Sequence, residues 1–129
     1  MVYTIIVNEE SYDLPKKTVA VMEKLDDVLK VDQIKGLTVK QKFEKLHSFV
    51  KGLVGDSNAE EMFGSDNISE IDLSELTLVV KKIAAAYDKP IADYDAEIAR
   101  RKFDNVPIEK IVSLTKAAQT INMQQVNKK

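Results

Sequence analysis

The sequence predicts an α+β chain that is mainly α, with a short N-terminal β-hairpin packed on a bundle of about five helices. Three observations carry this expectation. VYTIIV (2–7) is β-branched and aromatic and runs into the turn-like NEES (8–11). Beyond Pro15, apolar residues recur at steps of three and four in one segment after another. Two of those segments open with a Thr or Asp followed three residues later by Gln or Glu, the capping-box spacing. A chain of 129 residues suits one domain, divided here into a hairpin (1–15), a helical bundle (16–121) and a frayed tail (122–129).

Taken in order, VYTIIV supplies a first strand and YDL (12–14) a returning one. A lone hairpin is marginal, so it must lie on helices, and its open edge is a place where another chain can add a strand. Pro15 ends the strand. A helix is then expected over about 17–31, with Val21, Leu25 and Val28 on one face and Met22 and Leu29 beside them. DQIKG (32–36) links it to a helix opened by Thr38 and Gln41, whose core stripe is Val39, Phe43, Leu46, Val50 and Leu53, with Gly55 as its stop. Ser57 and Glu60 open a short helix closed by Gly64. Asp72 and Glu75 open the next, with Leu73, Leu76, Val80, Ile83 and Tyr87 as its stripe; this is the expected centre of the bundle.

The stretch YDKPIADYD (87–95) holds two tyrosines, three aspartates and a proline, and invites comparison with an active-site edge. Each residue also has a structural role. The residue before a proline avoids helical geometry, so the central helix is expected to close at Asp88 with Lys89 extended. Pro90 then suits the first turn of a new helix, whose dipole favours Asp93, Asp95 and Glu97, with Ile91, Tyr94 and Ile98 inward. A last helix is expected from Pro107, with Ile108, Ile111, Val112, Thr115 and Ala118 inward, before NMQQVNKK (122–129) loses the rhythm.

Net charge is −2, but it is unevenly distributed. Residues 16–51 hold nine lysines against five acids, residues 56–97 hold eleven acids against three lysines, and residues 98–129 hold seven bases against two acids. Opposite-charged surfaces that pair within the fold or stay solvated explain this; so does head-to-tail self-association or a charged protein partner. A net acidic domain is the wrong balance for a nucleic-acid binder. The sequence contains no cysteine, which fits a reducing compartment. No apolar run approaches the ~20 residues that span a bilayer, and no signal peptide is visible, so neither a membrane nor secretion is expected.

Catalytic equipment is not visible, and no enzyme activity, cofactor, metal or small-molecule substrate is expected. His47 is the only histidine and sits beside the Phe43–Val50 stripe, where a packing or surface role is ordinary. DSNAEEMFGSDN (56–67) resembles a calcium loop but has Glu61 where glycine is needed and Asn67 where a bidentate Glu is needed. GLVG (52–55) lacks the Gly-Lys-Ser/Thr of a phosphate loop. Lys40, Lys42, Lys45 and Lys51 have neither interleaved aromatics nor an arginine cluster, so a solvated helix face is the simpler reading.

The order hairpin, YDLPKKT (12–18), KLDDVLKVD (24–32), KFEKLHSFVKGLVG (42–55), EIDLSELTLVVKKIAAAYDKPIADY (70–94) and PIEKIVSLTKAA (107–118) resembles small proteins of the tail-gene clusters of phages and prophages of Gram-positive bacteria. It is similar to the tail assembly chaperones encoded just before the tape-measure protein. The resemblance covers most of the chain and rests on structural, not catalytic, motifs. It implies a non-enzymatic assembly factor in the host bacterial cytoplasm that coats the helical tape-measure protein and recruits tail-tube subunits; a homo-oligomer is a further candidate partner that the sequence does not decide. The alternative is a structural minor tail or connector protein of the virion. The resemblance supplies no binding motif. The partner surface is expected at the strand edge (Tyr3, Ile5 and Val7) and at the acidic joint (Asp88, Asp93 and Asp95).

Overall fold

The computed structural model describes residues 1–104, with the side chains of residues 1–102. It is mainly helical with an N-terminal antiparallel hairpin. The strands are β1 (Tyr3–Val7) and β2 (Glu10–Leu14); the helices are α1 (Val19–Leu29), α2 (Val39–Val54), α3 (Asp56–Phe63) and α4 (Leu73–Asp104). Single 3-10 turns lie at Val31–Gln33 and Ile68–Glu70. The chain divides into two compact units, Met1–Lys89 and Pro90–Lys129. The first holds all the buried residues among those described. The helix expected from Pro107 and the tail 122–129 lie outside the described residues.

The hairpin turn is tighter than NEES suggested. Only Asn8 and Glu9 form it, both with positive φ (53° and 69°), while Glu10 and Ser11 already pair in β2. A two-residue turn with left-handed geometry at both positions matches the right-handed twist of the strands it joins. Register follows from it, with Val7 opposite Glu10, Ile5 opposite Tyr12 and Tyr3 opposite Leu14. Alternation then puts Tyr3, Ile5, Val7, Tyr12 and Leu14 on one buried face and Thr4, Ile6, Ser11 and Asp13 on the exposed one.

The caps agree largely with the expected starts. The Thr18 hydroxyl accepts from the Val21 amide to open α1. Thr38 and Gln41 form a complete capping box on α2, with bonds of 3.1 and 2.9 Å. The Asp72 carboxylate accepts from the Glu75 amide at 3.0 Å as α4 begins. Gly64 ends α3 in left-handed geometry. The start of α3 differs from expectation: the chain turns directly out of α2 at Gly55 (φ 93°) into a helix at Asp56, with no side-chain cap from Ser57.

The core lies where the central stripe predicted. Leu76, Val80, Ile83 and Tyr87 of α4 are buried, joined by Val79. Against them pack the inner face of the hairpin, Leu25 and Val28 of α1, Leu46, Phe49, Val50 and Val54 of α2, and Ala59, Met62 and Phe63 of α3. Two residues expected inside are not: Leu29 and Val39 are each more than half exposed.

The main correction concerns YDKP. No joint forms there; α4 runs unbroken from Leu73 to Asp104 with Pro90 inside it. The described residues therefore hold four α-helices, fewer than the five or so expected, because two expected helices are one. An internal proline removes one helical hydrogen bond and costs about 3 kcal/mol. Long-range contacts offset part of that cost. Lys17 Nζ donates to the Tyr87 carbonyl at 3.1 Å, and the Tyr87 hydroxyl donates to the Pro15 carbonyl at 2.8 Å. The segment between hairpin and α1 thus ties α4 down one turn before the proline. Ile91 and Tyr94, expected inward, are 58% and 59% exposed, and Ile98 is half-buried.

Candidate helix-binding groove

Helix α1 and the lysine-rich α2 enclose an open groove of about 1140 Å³ within the first unit. Its floor is apolar: Val28 and Phe49 are buried, and Val21, Leu37 and Leu53 are half-buried. These residues face the groove because each helix carries its apolar positions at three- and four-residue steps, leaving the next positions round as walls. The α1 wall presents Ala20, Lys24 and Asp27, and the α2 wall presents Glu44, Lys45, Ser48 and Gly52. Along α2 the groove runs from Gln41 to Leu53, roughly 20 Å at helical rise, room for between three and four turns of a helix.

The volume exceeds the ~300–1,000 Å³ usual for small-molecule pockets, so a piece of polypeptide suits it better. Lysines outnumber acids around it, three (Lys24, Lys30, Lys45) to two (Asp27, Glu44). Lys30 is tied to Asp26 at 2.9 Å, whereas Lys24 and Lys45 form no ion pair among the described residues. Gly52 lies inside α2, where glycine costs roughly 0.5–1 kcal/mol relative to alanine. A Cβ there would meet nothing within 4 Å, so no packing of the described chain requires the glycine. With Ser48 one turn before it, Gly52 keeps the α2 wall low.

The strand residues expected at a partner surface lie elsewhere. Tyr3, Ile5 and Val7 are brought together, but on the buried face of the hairpin. Their backbone groups also point the wrong way. In a two-residue hairpin the closing pair is hydrogen-bonded, so residues 7, 5 and 3 bond inward to β2 while residues 6 and 4 face out. The outer edge of β1 therefore belongs to Thr4 and Ile6, and Lys82 of α4 reaches it, donating to the Ile6 carbonyl at 2.8 Å. A lysine on an edge strand discourages addition of a further strand.

Asp88, Asp93 and Asp95 are all exposed on α4. Asp95 borders the exposed apolar stripe Ile91, Tyr94 and Ile98 at the 100° helical step, and Asp93 lies on the face opposite that stripe. His47 is buried, not on the surface, with its ring edge-on to Phe63 at 6.0 Å and its Nε2 without a hydrogen-bond partner. Burial, and then Lys51, push its pKa below the ordinary 6.5, so the ring is held neutral. Tyr12 is the other perturbed group: its hydroxyl donates to Glu61 Oε1 at 2.6 Å, and that bond followed by burial pushes its pKa up to about 12. His47 packs α2 against α3, Tyr12 bonds β2 to α3, and neither lines the groove.

Sequence patterning did not disclose the groove, since it depends on how two helices lie together. Its trace in the sequence is the small pair Ser48 and Gly52 next to a continuous apolar stripe, with Lys45 before it. Comparison of the chain with protein-family models, curated proteins and solved structures finds no match to any of them.

Proposed function

We propose that this chain is a tail assembly chaperone: a non-enzymatic protein that binds the helical tape-measure protein of a tailed phage and recruits tail-tube subunits to it. The observation that carries the proposal is the α1–α2 groove, whose apolar floor and low α2 wall suit one face of an amphipathic helix. A long helix with an apolar stripe aggregates unless that stripe is covered, and many weakly bound copies can cover it through avidity. No described helix is long and apolar enough to cross a membrane, in keeping with a role in the host cytoplasm.

The test is co-expression with a tape-measure protein of a tailed phage. The expected result is a soluble complex with many copies of this chain per partner. Gly52→Leu puts a bulky side chain on the groove wall at a position where a Cβ meets nothing within 4 Å, and it should abolish co-purification while the melting temperature holds. A partner that aggregates regardless overturns the reading. Retention of this chain in purified particles at fixed stoichiometry would replace it with a minor tail or connector protein.

A further inference from the structure

We infer that the outer edge of β2 is a docking site for an extended basic segment of another protein, which adds to the hairpin as a third strand. No residue of either strand lines the α1–α2 groove, so this surface is separate from it.

The two edges of the hairpin are not alike. The register makes Val7 with Glu10, Ile5 with Tyr12 and Tyr3 with Leu14 the hydrogen-bonded pairs. On β2, residues 10, 12 and 14 therefore bond inward, and the amides and carbonyls of Ser11 and Asp13 face out. On β1 the outward carbonyl of Ile6 is taken by Lys82. On β2 the outward groups of Ser11 and Asp13 have no hydrogen-bond partner among the described residues, and both residues are exposed. Just beyond the strand, the Pro15 carbonyl is closed off by the Tyr87 hydroxyl. Ser11 and Asp13 thus leave a short row of open donors and acceptors, spaced for alternate residues of an extended chain.

Charge at a strand edge bars some partners and admits others. Glu10 and Asp13 are exposed on β2, and Glu9 is exposed in the turn. The helix bonded to β2 adds to this, since α3 carries Asp56, Glu60 and Glu61 with no base, and Glu61 accepts from Tyr12. The nearest bases along the chain are Lys16, outside the strand, and Lys17, which is engaged by the Tyr87 carbonyl. An acidic strand is repelled here. A second copy is repelled too, because pairing β2 with β2 sets Glu10 and Asp13 of both chains on one ribbon. A segment with lysine or arginine at alternate positions instead places cations opposite or diagonal to these carboxylates, and such cross-strand pairs add to the main-chain bonds.

The experiment adds to the full chain, at low salt, a blocked eight-residue peptide that alternates lysine with threonine, with a glutamate–threonine peptide as its control. At saturation the lysine peptide should slow hydrogen exchange at the Ser11 and Asp13 amides at least tenfold, and raised salt should weaken its binding. The glutamate peptide should not bind. Ser11→Pro deletes one outward donor at a position where proline spares the β1–β2 ladder, and should weaken binding at least tenfold with unchanged circular dichroism. Glu10→Gln/Asp13→Asn keeps every main-chain donor and should remove the advantage of the lysine peptide over the glutamate peptide. Lysine-peptide binding that leaves both amides exchanging as before is ionic adhesion alone and overturns the inference. Equal binding of the two peptides to the wild-type chain overturns it as well. So does slow exchange at both amides in the free chain, at any concentration, because the edge is then already filled.

Discussion

Replacing Tyr87 by Phe deletes a single oxygen from the most confined aromatic residue among those described. The ring is 1% exposed and packs against the Tyr3 ring with centroids 4.9 Å apart and planes tilted by 49°. Phe keeps the ring, its burial and that contact. What it removes is the hydroxyl bond to the Pro15 carbonyl at 2.8 Å. A neutral hydrogen bond contributes about 0.5–1.5 kcal/mol net. Pro15 is exposed, so its carbonyl can recover a water, and the expected loss is about 1 kcal/mol. For a unit of this size that lowers the melting temperature by about 4–8 °C. Urea denaturation followed by circular dichroism should show an earlier midpoint with an unchanged slope. Tyr87→Ala, which also empties the ring site, should cost about 3–5 kcal/mol. If Tyr87→Phe melts with or above wild type, the tie between Pro15 and α4 contributes nothing, and the account of how α4 tolerates Pro90 fails with it.

Val80→Asp places an unpaired charge in the core and should unfold the first unit outright; an unchanged thermal melt would remove Val80 from the core. His47 has a folded-state pKa below 6.5, so the unfolded chain binds more protons in acid and stability should fall as pH drops below about 6.5. His47→Leu should flatten that acid slope in melts taken across pH. For Tyr12 the sign is opposite: its contribution is complete below about pH 10 and is lost as pH rises towards about 12. Glu61→Gln removes the carboxylate that holds its proton, so ultraviolet titration of the four tyrosines should show one midpoint moving down.

Local chemistry was legible where local chemistry decides. Thr38 with Gln41 marked the start of α2, Gly64 the end of α3, and the 76–80–83–87 stripe the most buried helix face. The errors share one cause. Pro90 was a sound local reason to end a helix, and it was overridden by Lys17 and Pro15, some 70 positions away in sequence. Tyr3, Ile5 and Val7 were rightly placed on a strand. Which way their side chains and amides point depended on a two-residue turn at Asn8 and Glu9; Asn8 is a residue that tolerates positive φ, but Glu9 does not announce it as glycine would. The groove was not legible, since Lys24 on α1 and Lys45 on α2 become neighbours of one cleft only once both helices are packed. The orphaned Nε2 of His47 was equally hidden, because a histidine beside an apolar stripe reads the same whether it faces water or Phe63.

The bond from Lys82 to the Ile6 carbonyl has a practical consequence at the bench. Succinimidyl-ester dyes, biotinylation reagents and crosslinkers convert lysine ammonium groups into bulkier, uncharged amides. On this protein such a reagent does more than decorate the surface. Modification at Lys82 withdraws the donor that occupies the outer edge of β1 and leaves an unguarded strand beside the exposed Ile6 side chain. Material labelled heavily through its lysines would then be prone to strand-to-strand clumping that the unlabelled protein lacks. A probe attached through a cysteine introduced on the exposed end of α4 avoids this, and the absence of native cysteine makes that route selective.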